Sequence, residues 1–134
     1  MDIEKVREFF KNDHFASETG IEIEWAEEGK ALCSMELKEK HYNAGGTVQG
    51  GAIFTLGDFA FAVAANISGQ LTVSLNNSIS FISVTKGKKL LAEANQLSDS
   101  KRISVYEVII TDELGNNVAH MVVNGYKKEV AIDL

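Results

Sequence analysis

GGAIFTLGDFAFAVAANISG, residues 50–69, decides how the chain is read. Ile53, Phe54, Leu56, Ala60, Phe61, Val63, Ala64 and Ile67 make the stretch almost wholly apolar. Its length and alanine content predict a buried helix, with Ser68-Gly69 as its stop. One residue does not fit. Asp58, two turns in, is the only Asp, Glu, Lys or Arg between Lys40 and Lys86. A lone carboxylate among apolar side chains is costly unless it is paired or hydrogen-bonded, and aspartate is a mediocre helix-interior residue. Asp58 is therefore the leading functional candidate. The competing use is structural, with the carboxylate capping a neighbouring loop.

Immediately upstream, residues 41–49 contain Asn43, Gly45, Gly46 and Thr47 and read as a loop. Gly50-Gly51 then opens the helix. A helix N-terminus presents unpaired backbone N–H groups and partial positive charge, and glycine lets a ligand approach that backbone. Such a terminus can polarise a carbonyl as an oxyanion hole does. Gly50 and Asp58 are eight residues apart, about 12 Å along a helix axis. A group that attacks or deprotonates must lie within about 3 Å of its target. Both residues can serve one carbonyl only if two antiparallel copies of the helix meet, so a shared site requires a homo-oligomer.

On either side of this helix the pattern is β-rich, after a short amphipathic helix carrying Ile3, Val6 and Phe10. Ile21, Ile23 and Trp25, then Ala31, Cys33, Met35 and Leu37, alternate with polar residues around Glu28-Gly29 and predict a hairpin. Strands are expected over residues 72–81, 90–97, 104–111 and 118–126, joined by short turns as antiparallel neighbours. The tail from Lys127 reads as frayed, and His14 as a loop residue. The class is α+β, one sheet wrapped around one buried helix, in a single domain over residues 1–134 with its core at about 20–127. That helix is apolar nearly all round, so a second copy is the natural cover for whatever the sheet leaves bare.

The chain has 134 residues, 45% hydrophobic and 24% charged, which suits one globular domain. Thirteen Lys and Arg against 19 Asp and Glu give a net charge of −6, which argues against a nucleic-acid partner. The single cysteine, Cys33, can form no internal disulfide and reads as a small buried strand residue. The N-terminus has mixed charge and no apolar core, unlike a signal peptide. The longest apolar run, Phe59–Ala65, is far too short to span a membrane. A cytoplasmic protein with no membrane partner is expected.

Asn43-Ala-Gly-Gly-Thr-Val-Gln-Gly-Gly-Ala-Ile-Phe-Thr-Leu-Gly-Asp58 resembles the signature of the phenylacetic-acid-degradation (PaaI-like) thioesterase family: Asn, a glycine-containing spacer, His-Gly-Gly, then Leu-x-Asp. Val73–Phe81 and Ser100–Tyr106 resemble later segments of that family, and the similarity covers about residues 20–127. The resemblance implies a hotdog fold, a dimer or dimer of dimers, and hydrolysis of acyl-CoA thioesters to free acid and CoA, aryl-acyl esters such as phenylacetyl-CoA among them. By position it makes Asp58 the nucleophile or general base and Gly50 the oxyanion-hole amide. Asn43 would hold the thioester carbonyl or the water, and Ser74 would help orient the water. Gln49 stands where the family has His; it can donate a hydrogen bond but carries no titrating charge.

Gly51 and His41 flank this site as substrate-binding candidates. Lys101 and Arg102, with Lys86, Lys88 and Lys89, are candidates for the CoA phosphates. His14, His41 and His120 fit no metal motif. Neither metal nor separate cofactor is expected, coenzyme A being part of the substrate. Two other functions compete. A hotdog acyl dehydratase would want His at the Gly-Gly step and Pro in the preceding loop, and this chain has neither. A non-catalytic acyl-CoA-binding protein would keep the fold and lack turnover.

Overall fold

The computed structural model describes residues 1–134. Asp2 accepts a hydrogen bond from Glu4 N and caps helix α1 (Ile3–Phe10). Asp13 does the same through Ala16 N for helix α2 (His14–Glu18). Strands β1 (Ile21–Glu27) and β2 (Lys30–Glu36) form the expected hairpin. The long helix α3 (Gly50–Asn66) follows, and then β3 (Gln70–Phe81), β4 (Lys89–Asp99), β5 (Ile103–Asp112) and β6 (Asn117–Ala131).

All six strands form one antiparallel sheet in the order β1-β2-β4-β5-β6-β3. Period-two alternation turns Cys33 and Met35, Leu90 and Ala92, Val108 and Ile110, and Met121 and Val123 to the inside, where all are fully buried with Leu56, Ala60 and Val63 of α3. Helix and sheet come close together at Gly57. A Cβ there would lie 2.2 Å from Met121 Sδ, so α3 reaches this depth only because residue 57 has no side chain. On the flank of α3, Phe10 meets Phe59 edge-on at 5.5 Å, which brings the α1–α2 segment beside the Asp58 turn.

Three sequence expectations are corrected. His14 does not lie in a loop; it opens α2, because Asp13 supplies a cap. The tail is not frayed from Lys127, since β6 runs to Ala131 against β3. Most important, β3 and β4 are not neighbours. At the end of α3, Asn66 accepts from Thr72 N and donates to Thr72 O, which sends β3 back along the helix to pair with β6. The following segment crosses the sheet and enters β4 between β2 and β5. Lys86-Gly87 is therefore part of a crossover and not one of the short turns expected between antiparallel neighbours.

The crossover leaves β3 on an edge, twelve residues long, with Leu75 61% and Phe81 56% exposed. A long, partly apolar edge is a template for another strand. The stripe Gly51, Phe54, Thr55, Asp58 and Ala62 of α3 is also left partly uncovered by the sheet. No helix is long and apolar enough to cross a membrane.

Candidate active site

The loop before α3 is built around Asn43. Its Oδ1 accepts from Gly45 N at 2.9 Å and Thr47 N at 3.1 Å, and its Nδ2 donates to Thr47 Oγ1 at 3.1 Å. That tight turn, with Gln49 N donating to His41 O, delivers Gln49 in extended conformation as the helix N-cap. Ala52 N then donates to both Gln49 O at 3.0 Å and Gln49 Oε1 at 2.9 Å, and Ile53 N to Gln49 O. The N–H groups of Gly50 and Gly51 have no partner. Two unpaired amides at the positive end of a 17-residue helix form a carbonyl- or anion-polarising element.

Asp58 lies half-buried eight residues further along. Burial pushes its carboxyl above the ordinary carboxylate range, and the nearby Asp13 charge pushes the same way. The neighbouring Asn77 side chain pulls down without reversing the shift. Asn77 Oδ1 is itself buried with no partner.

Strand β3 runs alongside this stretch of helix. A register slip between Ser74 and Asn76 resets its alternation. From there Asn77 reaches Asp58, Ile79 packs on the core, and Phe81 lies over Gly50, its Cζ 3.2 Å from where a Cβ would stand. Four strand residues cover about 13 Å and eight helix residues about 12 Å. Strand and helix therefore run antiparallel in step, with Gly50 and Asp58 at opposite ends of the match. Beside Gly50 opens a cleft of about 350 Å³, lined by Val48, Ile53, Phe81, Val84 and Thr85 among others. Thr85 Oγ1 is buried and unpartnered.

The other sequence candidates fall in different places. Gly51 lies under the Gln49 carboxamide, where a Cβ would come 2.7 Å from Oε1. His41 does not line the cleft. It is buried, its Nδ1 accepts from Lys38 N, and its Nε2 faces Thr19, so it is a scaffold residue. Ser74 is exposed on the β3 edge. Lys88 ends the crossover, its N–H held by Glu113. Lys101 and Arg102 lie in the β4–β5 turn, which sits at the C-terminal end of α3, about 25 Å from Gly50 along the helix; Arg102 bonds Tyr126 and Glu129. Cys33 is buried, and burial with the nearby Glu24 pushes its thiol up to about 12, which makes it inert as a nucleophile. No three His, Cys, Asp or Glu side chains gather in a metal-holding group. Sequence reasoning missed Asp13, Asn77, Phe81 and Thr85. Only for Asn77 was a signal legible: a polar residue where alternation calls for an inward one.

Residues 45–119, from the Asn43 turn through α3, β3, β4 and β5 to the start of β6, match the thioesterase superfamily. The chain belongs to that superfamily. It is a PaaI-like member with the hotdog fold, and a thioester hydrolase by family. It is 32% identical over 111 residues to the acyl-coenzyme A thioesterase PaaI of Escherichia coli, covering 82% of this chain and 79% of that one. The structure of the E. coli PaaI protein from the phenylacetic acid degradation operon superposes with a TM-score of 0.89 at 28% identity, covering 94% and 92% of the two chains. A mutant of the phenylacetic acid degradation protein PaaI of Thermus thermophilus gives 0.82 at 26% identity, covering 87% and 100%.

Proposed function

We propose that the protein hydrolyses acyl-CoA thioesters at a site shared between two protomers. The observation that carries this reading is the separation of Gly50 and Asp58 on one helix, whose outer stripe and flanking edge strand are left uncovered. A second copy pairing on the β3 edge sets two α3 helices antiparallel and brings the partner's Asp58 to the Gly50 amide. A dimer is thus the smallest active unit.

In the proposed reaction the thioester carbonyl accepts a hydrogen bond from Gly50 N–H, with Asn43 holding the loop and Ser74 on the adjoining edge orienting water. The partner's Asp58 either adds to the carbonyl carbon or takes a proton from water as that water adds. The tetrahedral oxyanion collapses, the C–S bond breaks and CoA leaves as a thiolate, which takes its proton from Asp58 in the water route and from solvent in direct addition. Direct addition leaves a mixed anhydride that water then cleaves to the acid. The apolar cleft walls suit an aryl-acyl group such as phenylacetyl, and Lys86, next in the chain after the cleft residue Thr85, is a candidate to meet CoA phosphates. The buried free thiol of Cys33 fits the reducing cytoplasm.

Subunit mixing tests the shared site. Gly50→Pro removes one N–H at a position where proline suits a helix, and Asp58→Ala removes the carboxylate. Each homodimer is expected to be inactive on a panel of acyl-CoAs. Refolded mixtures should recover about a quarter of wild-type turnover, because half of the dimers are mixed and each has one intact site. Mixtures that stay inactive sink the shared site. A wild type that binds acyl-CoA tightly and turns over none establishes the binding-protein alternative.

A further inference from the structure

The Gln49 side chain divides its two ends between two tasks. Its oxygen is committed: Oε1 accepts from Ala52 N at 2.9 Å and caps α3. A backbone N–H requires an acceptor, so the carboxamide cannot flip without losing the cap. The carboxamide lies across Gly51, with Oε1 2.7 Å and Nε2 3.3 Å from the point a Cβ would occupy. Any larger residue at 51 would push it away. The nitrogen end makes no hydrogen bond within the protomer, and Gln49 is exposed. Its two N–H donors stand at the helix end where the Gly50 and Gly51 N–H groups are also unpaired. The neighbouring cleft holds a further unpartnered polar atom, Thr85 Oγ1.

We propose that Gln49 is a catalytic hydrogen-bond donor in this chain: its oxygen, fixed by the helix cap, turns Nε2 toward the thioester oxygen, beside the Gly50 amide. The inference rests on the thioesterase reading above and deepens it. An amide does not titrate, so this donor supports the oxyanion equally at every pH at which the protein is folded. Cap and donor are separable by substitution. Gln49→Glu keeps an oxygen able to cap and removes the donor. Gln49→Ser keeps a good N-cap and is too short to reach substrate.

The experiment measures kcat, KM and thermal midpoint for both variants on the ester that the wild type turns over fastest, with Asp58→Ala as reference. Loss of one oxyanion donor typically costs about 10²–10³ in kcat. That loss is expected in both variants, with KM within about threefold and the midpoint near wild type. A kcat within about threefold of wild type in either variant overturns the assignment, as does a loss that follows a falling midpoint. Turnover that survives in Asp58→Ala marks failure of the underlying mechanism, a separate result. Should the wild type hydrolyse no ester, the variants are compared for binding a non-hydrolysable acyl-CoA ketone, and an unchanged Kd overturns the donor role.

Discussion

Two aspartates in this protein are withdrawn from solvent and differ in almost every other respect. Asp112, at the end of β5, is 1% exposed. Its Oδ1 accepts from Leu114 N, Asn116 N and Asn116 Nδ2, and its Oδ2 from Lys86 N, Gly87 N and Asn116 Nδ2. Burial alone would push its carboxyl up. The Asn116, Lys86 and Gly87 donors outweigh burial and hold it well below the usual carboxylate range. Asp58 has no such set of donors, a second acid nearby and a raised pKa. Saturated hydrogen bonding makes a carboxylate into scaffold; here Asp112, with Glu113, clamps the crossover that walls the cleft. A carboxylate left short of partners stores reactivity. Burial alone does not separate the two; the donor inventory does.

The largest test of this contrast is Asp58→Asn. Turnover should fall on the order of 10³-fold or more, the scale on which loss of a catalytic carboxylate acts. Folding should become more favourable at neutral pH, because a carboxyl whose folded pKa is raised costs stability once ionised. A variant less stable than wild type would put Asp58 in the scaffold class. Asp112→Ala should behave in the opposite way. It strands buried donors and lowers the unfolding free energy by about 2–4 kcal/mol in urea titration. Asp112 has a depressed folded pKa, so its contribution is present above the unfolded carboxylate pKa and is lost as pH falls below about 4. A wild type that keeps full stability down through that range would break the assignment.

The smallest effect is on pH dependence. The acid limb of kcat/KM reports protonation of Asp58 and should lie above the ordinary carboxylate range. Asp13→Asn keeps a capping residue for α2 and removes a like charge, so the limb should move to lower pH. Asn77→Ala removes the one group that lowers Asp58, so the limb should move to higher pH. Shifts of the same sign in both variants would contradict the electrostatics described here.

Asp58 was legible because it interrupts a long uncharged stretch, and Gly50 because a glycine pair opens that helix. Asp112 was invisible in sequence, lying in a short Asp-Glu-Leu-Gly-Asn connection that reads as an ordinary polar turn. Its partners Lys86 and Gly87 are 26 and 25 residues away. The same gap in chain distance caused the β3–β4 error. Local turn chemistry predicts a hairpin, and nothing local says that Asp112 and Glu113 wait to catch the crossing segment. The exposed Glu113 carboxylate, held by the Lys88 and Lys89 N–H groups, fills the space beside Gly87.

By itself the sequence determined most of the strands, the burial of α3, the identity of the solitary acid and its spacing from Gly50. Those follow from periodicity, charge and helix rise, which are local. Tertiary structure alone decided that β3 lies on an edge, that Asn77 and Phe81 stand against the two ends of the Gly50–Asp58 stretch, and that His41 turns inward. It also decided which aspartate is satisfied and which is spare. These depend on hydrogen bonds and contacts between residues far apart in the chain, and pattern within a segment carries no record of them.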